Sequence, residues 1–185
     1  MKNFYLSLTI IALTAFCVSA CKSKTAESTE KAEKTEVTAS VNLTPENLKA
    51  LIDADWDAVP QTLLDSMGIK VLKSFKEEAK DAQCDNLQYY YGKGASVELD
   101  KDGQPTKITA DDEHAVVIYL TAESVANGTI AFRSETDYND FVKKAQKKAG
   151  GEEEGLEFEE QGNNAEDMTG YEAGKWFFVN FTNDK

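Results

Sequence analysis

Residues 114–150 read HAVVIYLTAESVANGTIAFRSETDYNDFVKKAQKKAG. His114 to Thr121 and Gly128 to Arg133 are short runs rich in β-branched and aromatic residues, each bounded by turn residues, and they predict two strands. Ser134-Glu135-Thr136-Asp137 then has the form of a capping box. Tyr138, Phe141, Val142, Ala145 and Ala149 follow at helical spacing on one face, and Gly150-Gly151 closes the helix. Period two followed by period 3.6 is the pattern of an α+β fold. It predicts an antiparallel sheet with helices packed on one face.

Working outward, Thr44-Pro45 offers an N-cap followed by proline at the first helical position. Leu48, Leu51, Ile52 and Trp56 follow at helical spacing. A second short helix is expected from about Pro60, with Leu63, Leu64 and Met67 inward and Gly68 as its stop. Ile69 to Lys76 reads as a strand, with a rival reading that continues the helix through Val71, Phe75 and Ala79. Further strands are expected at Leu87–Gly92, Ala95–Asp100, Thr106–Ala110, Leu156–Gln161 and Lys175–Thr182, with Asp100-Lys101-Asp102-Gly103 as a hairpin turn. The order helix, glycine, strand, polar turn, aromatic strand occurs twice, ending first in Tyr89-Tyr90-Tyr91 and then in Trp176-Phe177-Phe178. That order suggests a tandem α-β-β duplication. The layout of residues 45–185 resembles the small helix-plus-sheet repeats of inhibitor-like and PepSY-like lipoprotein domains, a likeness of element order that transfers no function.

The amino terminus is a separate unit. Lys2 supplies a positive charge, Phe4 to Val18 form an apolar stretch, and Val18-Ser19-Ala20-Cys21 ends it. The stretch is shorter than the roughly 20 residues a spanning helix needs. The segment resembles a bacterial lipoprotein precursor, with Val18-Ser19-Ala20-Cys21 as its lipobox. The resemblance implies diacylglycerol on the Cys21 sulfur and cleavage just before it, so that residues 1–20 are a signal peptide. Residues 22–42, built from Lys, Glu, Thr, Ser and Ala, have almost nothing to bury, so 21–43 is expected to be the lipidated cysteine and a flexible tether, with 44–185 as a single domain. As a coil such a tether reaches about 25 Å. Lys22, rather than an aspartate, follows the cysteine, which favours the outer membrane where a cell has two. Cys17 leaves with the signal and Cys21 becomes a thioether, so Cys84 is the one remaining thiol and no intrachain disulfide forms. With no basic neighbour to make a thiolate, Cys84 reads as structural.

Composition narrows the chemistry. The chain has 185 residues, 33 acidic against 20 basic, for a formal net charge of -13. Nucleic-acid binding needs basic side chains to neutralise phosphates and is not expected. The single histidine, His114, removes most metal-ligand and acid–base arrangements. No nucleophile elbow, phosphate loop, HExxH or Cys pair is present, and no cofactor is expected. Glu98, Asp100, Asp102 and Gly103 imitate the front of a calcium loop, but the twelfth position is Thr109 rather than a bidentate glutamate, and a hairpin turn is the better reading. Glu152, Glu153, Glu154, Glu157, Glu159 and Glu160 read as a solvated loop and edge strand. Lys143, Lys144, Lys147 and Lys148 fit the carboxyl end of a helix, where the macrodipole favours cations.

The strand alternation carries the functional expectation. Val116, Ile118 and Leu120, with Phe177, Val179 and Phe181, face the helices. Tyr119, Trp176 and Phe178, joined by Tyr90, then point to the other side. On a sheet covered on one face only, these four aromatics form an exposed recognition patch; the alternative is a helix or a second subunit over them. The sequence therefore reads as a membrane-anchored, non-catalytic module that binds a protein, peptide or glycan. An envelope enzyme using acidic residues and a structural envelope lipoprotein are the alternatives.

Overall fold

The computed structural model describes residues 41–78, 85–122, 126–148, 155–163 and 168–183, all within one unit, Thr38–Lys185. Helix α1, Pro45–Asp53, starts as its sequence dictates: Thr44 is extended and its hydroxyl accepts the Asn47 N–H at 3.3 Å, with proline in the first turn. Leu48, Leu51 and Ile52 form its buried face. A single 3-10 turn at Trp56–Ala58 follows, with the Trp56 indole N–H donated to the Ile52 carbonyl at 2.9 Å.

Helix α2, Gln61–Met67, ends where Gly68 takes a left-handed conformation, φ 71°. The Gly68 and Ile69 N–H groups bond back to the Asp65 and Leu64 carbonyls at 3.1 and 3.0 Å. That double closure turns the chain out of the helical path. The next element is strand β1, Lys70–Glu78, which settles the strand-or-helix alternative for residues 69–76.

The remaining elements are β2 (Asp85–Lys93), β3 (Ala95–Leu99), β4 (Pro105–Ala110), β5 (Val116–Ala122), β6 (Ala126–Phe132), α3 (Glu135–Lys148), β7 (Leu156–Gly162) and β8 (Phe177–Asn183). Six strands make one antiparallel sheet in the order β1-β2-β5-β6-β8-β7, while β3 and β4 pair separately. Both α-β-β stretches place their first strand, β1 or β7, at an edge and their second next to the central β5–β6 pair.

Register sorts the side chains of the sheet into two layers. Tyr91, Ile118, Ile130 and Val179 lie side by side across four strands. They belong to a cluster that also takes buried residues from all three helices, among them Leu48, Met67 and Phe141. One residue along, Gly92, Val117, Ala131 and Phe178 make the next row. Val117, Ala131 and Phe178 enter a second cluster that contains, among the described residues, no helix side chain. Its cover comes from the β3–β4 hairpin.

Packing begins slightly before the expected boundary at residue 44. Leu43, assigned to the tether by composition, is buried in the helix-side cluster, and the Asn42 N–H bonds the Met67 carbonyl at 3.0 Å. One apolar residue with a backbone anchor is enough to start the domain there. Cys21, Cys84 and the proposed tether up to residue 40 lie outside the described residues.

Candidate functional site

The aromatic patch expected on an open sheet face is corrected by the structure. Trp176 is 1 % exposed, Phe178 0 % and Tyr90 3 %; Tyr119 alone is half-buried. The cover is neither a helix nor a second subunit. Gly94, at φ 60°, ends β2 and swings the following hairpin back across the sheet, and its carbonyl accepts the Asp111 N–H at 2.6 Å, holding both ends of the hairpin together. Ala95, Val97 and Ile108 then drop onto Tyr90, Trp176 and Phe178.

A second cover comes from the segment before β8. Tyr171 stands edge-on to both Trp176 and Phe178, with centroid distances of 5.3 and 5.0 Å. Burial pushes its hydroxyl well above the usual phenol range, so it stays neutral. The Ile108 N–H donates to the Gly170 carbonyl at 2.8 Å, tying hairpin and segment into one lid. Tyr90 and Tyr119 pack at 4.9 Å at its margin.

Between β4 and this segment lies an open cleft of about 710 Å³. Its wall is the end of β4 from Lys107 to Ala110 and the following turn residues to Glu113, its floor Trp176 and Tyr171, and its far side Arg133 and Glu172. Arg133 is fixed twice, its backbone N–H to the Ala115 carbonyl at 2.9 Å and a guanidinium N–H to the Lys175 carbonyl. Glu172 pairs with Lys175, which holds its carboxyl below the usual range. Since the Ile108 N–H points away from β3, the alternation of an antiparallel ladder turns the Ala110 N–H the same way, toward the cleft side of β4. The cleft thus offers an edge-strand backbone, a guanidinium and carboxylates above an aromatic floor.

On the helix side a smaller depression of about 270 Å³ is lined by Val41, Leu43, Phe132 and Phe141, with Lys93, His114, Asp137, Asp140 and Lys144 at its polar positions. His114 Nδ1 sits 2.9 Å from Asp137 Oδ2. That hydrogen bond, with the carboxylate charge, raises the histidine pKa above its ordinary value. A His–Asp pair can orient a general base, but the lining holds no Ser, Thr, Cys or Tyr side chain for it to activate.

The other sequence candidates have structural roles. Asp100 Oδ1 accepts the N–H groups of Asp102 and Gln104 at 2.8 and 2.9 Å, and Gly103 takes φ 78°: this is a hairpin turn, capped by its own aspartate. Glu157, Glu159 and Glu160 are exposed on the edge strand β7, while residues 152–154 lie outside the described residues. Lys143, Lys144 and Lys147 are exposed on α3. Among the described residues no three His, Cys, Asp or Glu side chains converge as metal ligands do.

Arg133, Tyr171 and the cleft itself were not among the sequence candidates. A faint signal existed: Met168 and Tyr171 are apolar residues in a polar stretch, with Gly170 between them and Gly174 after them, both with positive φ. Comparison of the chain with protein-family models, with curated proteins and with solved structures finds no match in any of the three.

Proposed function

We propose that this chain is a bacterial lipoprotein held at the cell envelope by acyl chains on Cys21, and that its folded domain is a binding module with the cleft beside β4 as its ligand site. The observation that carries the reading is the order of Lys2, the apolar stretch Phe4–Val18 and the box Val18-Ser19-Ala20-Cys21. Each buried methylene contributes about 0.8 kcal/mol, so two or three acyl chains hold a protein of this size without help from its surface. No helix among the described residues is long and apolar enough to cross a membrane.

The binding half of the proposal is supported by the chemistry of the cleft. A volume of about 710 Å³ lies within the roughly 300–1,000 Å³ of small-ligand sites. The Ala110 position on the outward side of β4, beyond the bond that Ile108 makes to Gly170, favours an extended peptide among the candidate ligands, because edge strands accept main-chain hydrogen bonds while flanking pockets take side chains. Arg133 would meet a carboxylate or carbonyl of such a peptide, and Asp111, Asp112 and Glu172 its cationic groups. Lys22 after the modified cysteine supports the outer membrane as the location.

Mass spectrometry of the native product tests the anchor: the expected species begins at Cys21 and carries acyl mass, and Cys21→Ala leaves the protein in the soluble fraction. An unmodified Cys21 thiol, or lipid partitioning that survives Cys21→Ala, overturns it. For the site, Arg133→Ala combined with Glu172→Gln should lower capture of envelope peptides at least tenfold while thermal unfolding moves little. Unchanged capture would move the ligand site elsewhere.

A further inference from the structure

We infer that the two edges of the six-stranded sheet are complementary, and that β1 of one copy of this chain pairs with β7 of the next, continuing the sheet from molecule to molecule. β1 and β7 are the end strands, and among the described residues neither makes a backbone hydrogen bond on its outer side. Every neighbouring pair in the sheet is antiparallel. Six strands that alternate in direction leave the two ends running oppositely, so β7 of a second copy meets β1 as one more antiparallel neighbour.

Charge selects this pairing. Lys70 and Lys73 are exposed on β1, and Glu157 and Glu159 are exposed on β7. None of the four has an ion-pair partner among the described residues. Lysines on an edge repel a second copy of that edge, and glutamates do the same. Set against each other, the two edges attract.

Register fixes which residues meet. The Arg133 N–H bonds the Ala115 carbonyl, which sets the phase of the β5–β6 ladder, and the strand pairings carry that phase to both ends of the sheet. It turns the main-chain groups of Val71 and Ser74 outward from β1, and those of Leu156 and Phe158 outward from β7. Placing Val71 against Phe158 and Ser74 against Leu156 matches these groups, with Leu72 left out as the bulge that β2 also skips. The same alignment puts Lys70 beside Glu159 and Lys73 beside Glu157, on one face of the sheet and in the non-hydrogen-bonded positions where side chains are closest. Glu77 and Glu78 fall past the end of β7. Sliding either strand by two residues keeps only one of the two charge pairs. Val71 is the one large apolar side chain exposed among the described residues, at 48 %, and it gains the half-buried Phe158 as its neighbour. A head-to-tail contact of this kind does not close on itself, so the product is an open row of copies.

Within one chain the two edges stand five strand spacings apart, roughly 24 Å, so a zero-length carbodiimide link from Lys73 to Glu157 forms only between copies. The purified full chain, in excess mild detergent so that acyl chains do not themselves join copies, is mixed half and half with chain labelled in heavy nitrogen. It is then linked at rising concentration and read by mass spectrometry. Lys73–Glu157 and Lys70–Glu159 links should form, about half of them joining a heavy chain to a light one, and should fall by about fivefold or more as salt screens the edges. Lys70→Glu with Lys73→Glu makes both edges acidic, and Glu157→Lys with Glu159→Lys makes both basic. Each variant alone should sediment as a monomer with its unfolding midpoint in place, and an equimolar mixture of the two should associate again. Monomer sedimentation of the unaltered chain at every concentration, links confined to chains of one label, or association that survives in either variant alone overturns the pairing.

Discussion

Replacing Trp176 by alanine separates a recognition residue from a core residue. The ring is 1 % exposed and meets Tyr171 edge-on at 5.3 Å. Around it lie Val97 and Ile108 of the hairpin and Phe178 of the strand that follows it, all in the same cluster. A buried tryptophan removes about 200–250 Å² from water. At about 25 cal/mol per Å² that is roughly 5–6 kcal/mol, of which the alanine methyl retains about 1. The lid is anchored partly by backbone bonds at Gly94 and Gly170, so it cannot collapse fully into the void. Trp176→Ala should then destabilise by about 4 kcal/mol, inside the roughly 3–5 observed for Trp→Ala in cores. With a urea slope of about 2 kcal/mol per molar, the midpoint falls by about 2 M. Circular dichroism follows the transition, and Trp56, the other tryptophan, remains as a fluorescence probe. Trp176→Phe should recover a large part of the loss. A midpoint shift below about 0.5 M for Trp176→Ala would refute this packing and return Trp176 to the role of a surface contact.

Two further perturbations test the sheet and the one histidine. A Cβ at Gly128 would fall on the Tyr119 carbonyl oxygen and the Phe181 ring; since backbone cannot yield as a side chain does, Gly128→Ala should cost at least about 2–3 kcal/mol by urea unfolding, and a neutral result would mean that β5 and β6 are not in this register. The proton NMR signal of His114 is unambiguous because the chain has a single histidine, and its pKa should lie above the ordinary value of about 6.5 and fall toward it in Asp137→Asn. Because the folded pKa is raised, the contribution of this pair to stability is full below the unfolded pKa and is lost as pH rises through the folded one. A titration unmoved by Asp137→Asn would remove the pair.

The elements were legible where one residue type enforces one conformation. Thr44-Pro45, Gly68 and Ser134 fix helix ends through hydrogen bonds made within four residues of sequence; Thr44 and Gly68 operate as read, and Ser134 caps the Asp137 N–H while the Asp137 carboxylate pairs with His114 instead of closing the box. The alternation in β5 and β8 was also legible, because a strand has only two faces. What those faces meet was not. The path of β3 and β4 depends on Gly94 and on a bond from Ile108 to Gly170, 62 positions away, and no local pattern encodes it. The error about Trp176, Phe178 and Tyr90 follows from that alone: their direction was right, but the sequence reading leaves them on an open face, with a helix or second subunit as the alternative cover, whereas a hairpin of the same chain covers them. The cleft was hidden for the same reason, since Arg133 and Glu172 become neighbours of β4 only after the lid closes.

The second sheet face is divided, and the division accounts for where the cleft lies. Its row Gly92, Val117, Ala131, Phe178 is small or apolar and lies under the lid, whereas the next row on that face, Tyr90, Tyr119, Thr129, Asn180, Glu159, turns polar toward β7, with Thr129 donating to Asn180 at 3.0 Å. Apolar residues under the hairpin supply the burial that holds the lid, and the lid in turn forms one wall of the cleft. The cleft is therefore on the face of the sheet opposite the helices, while Val41 and Leu43 pack with the helix-side cluster.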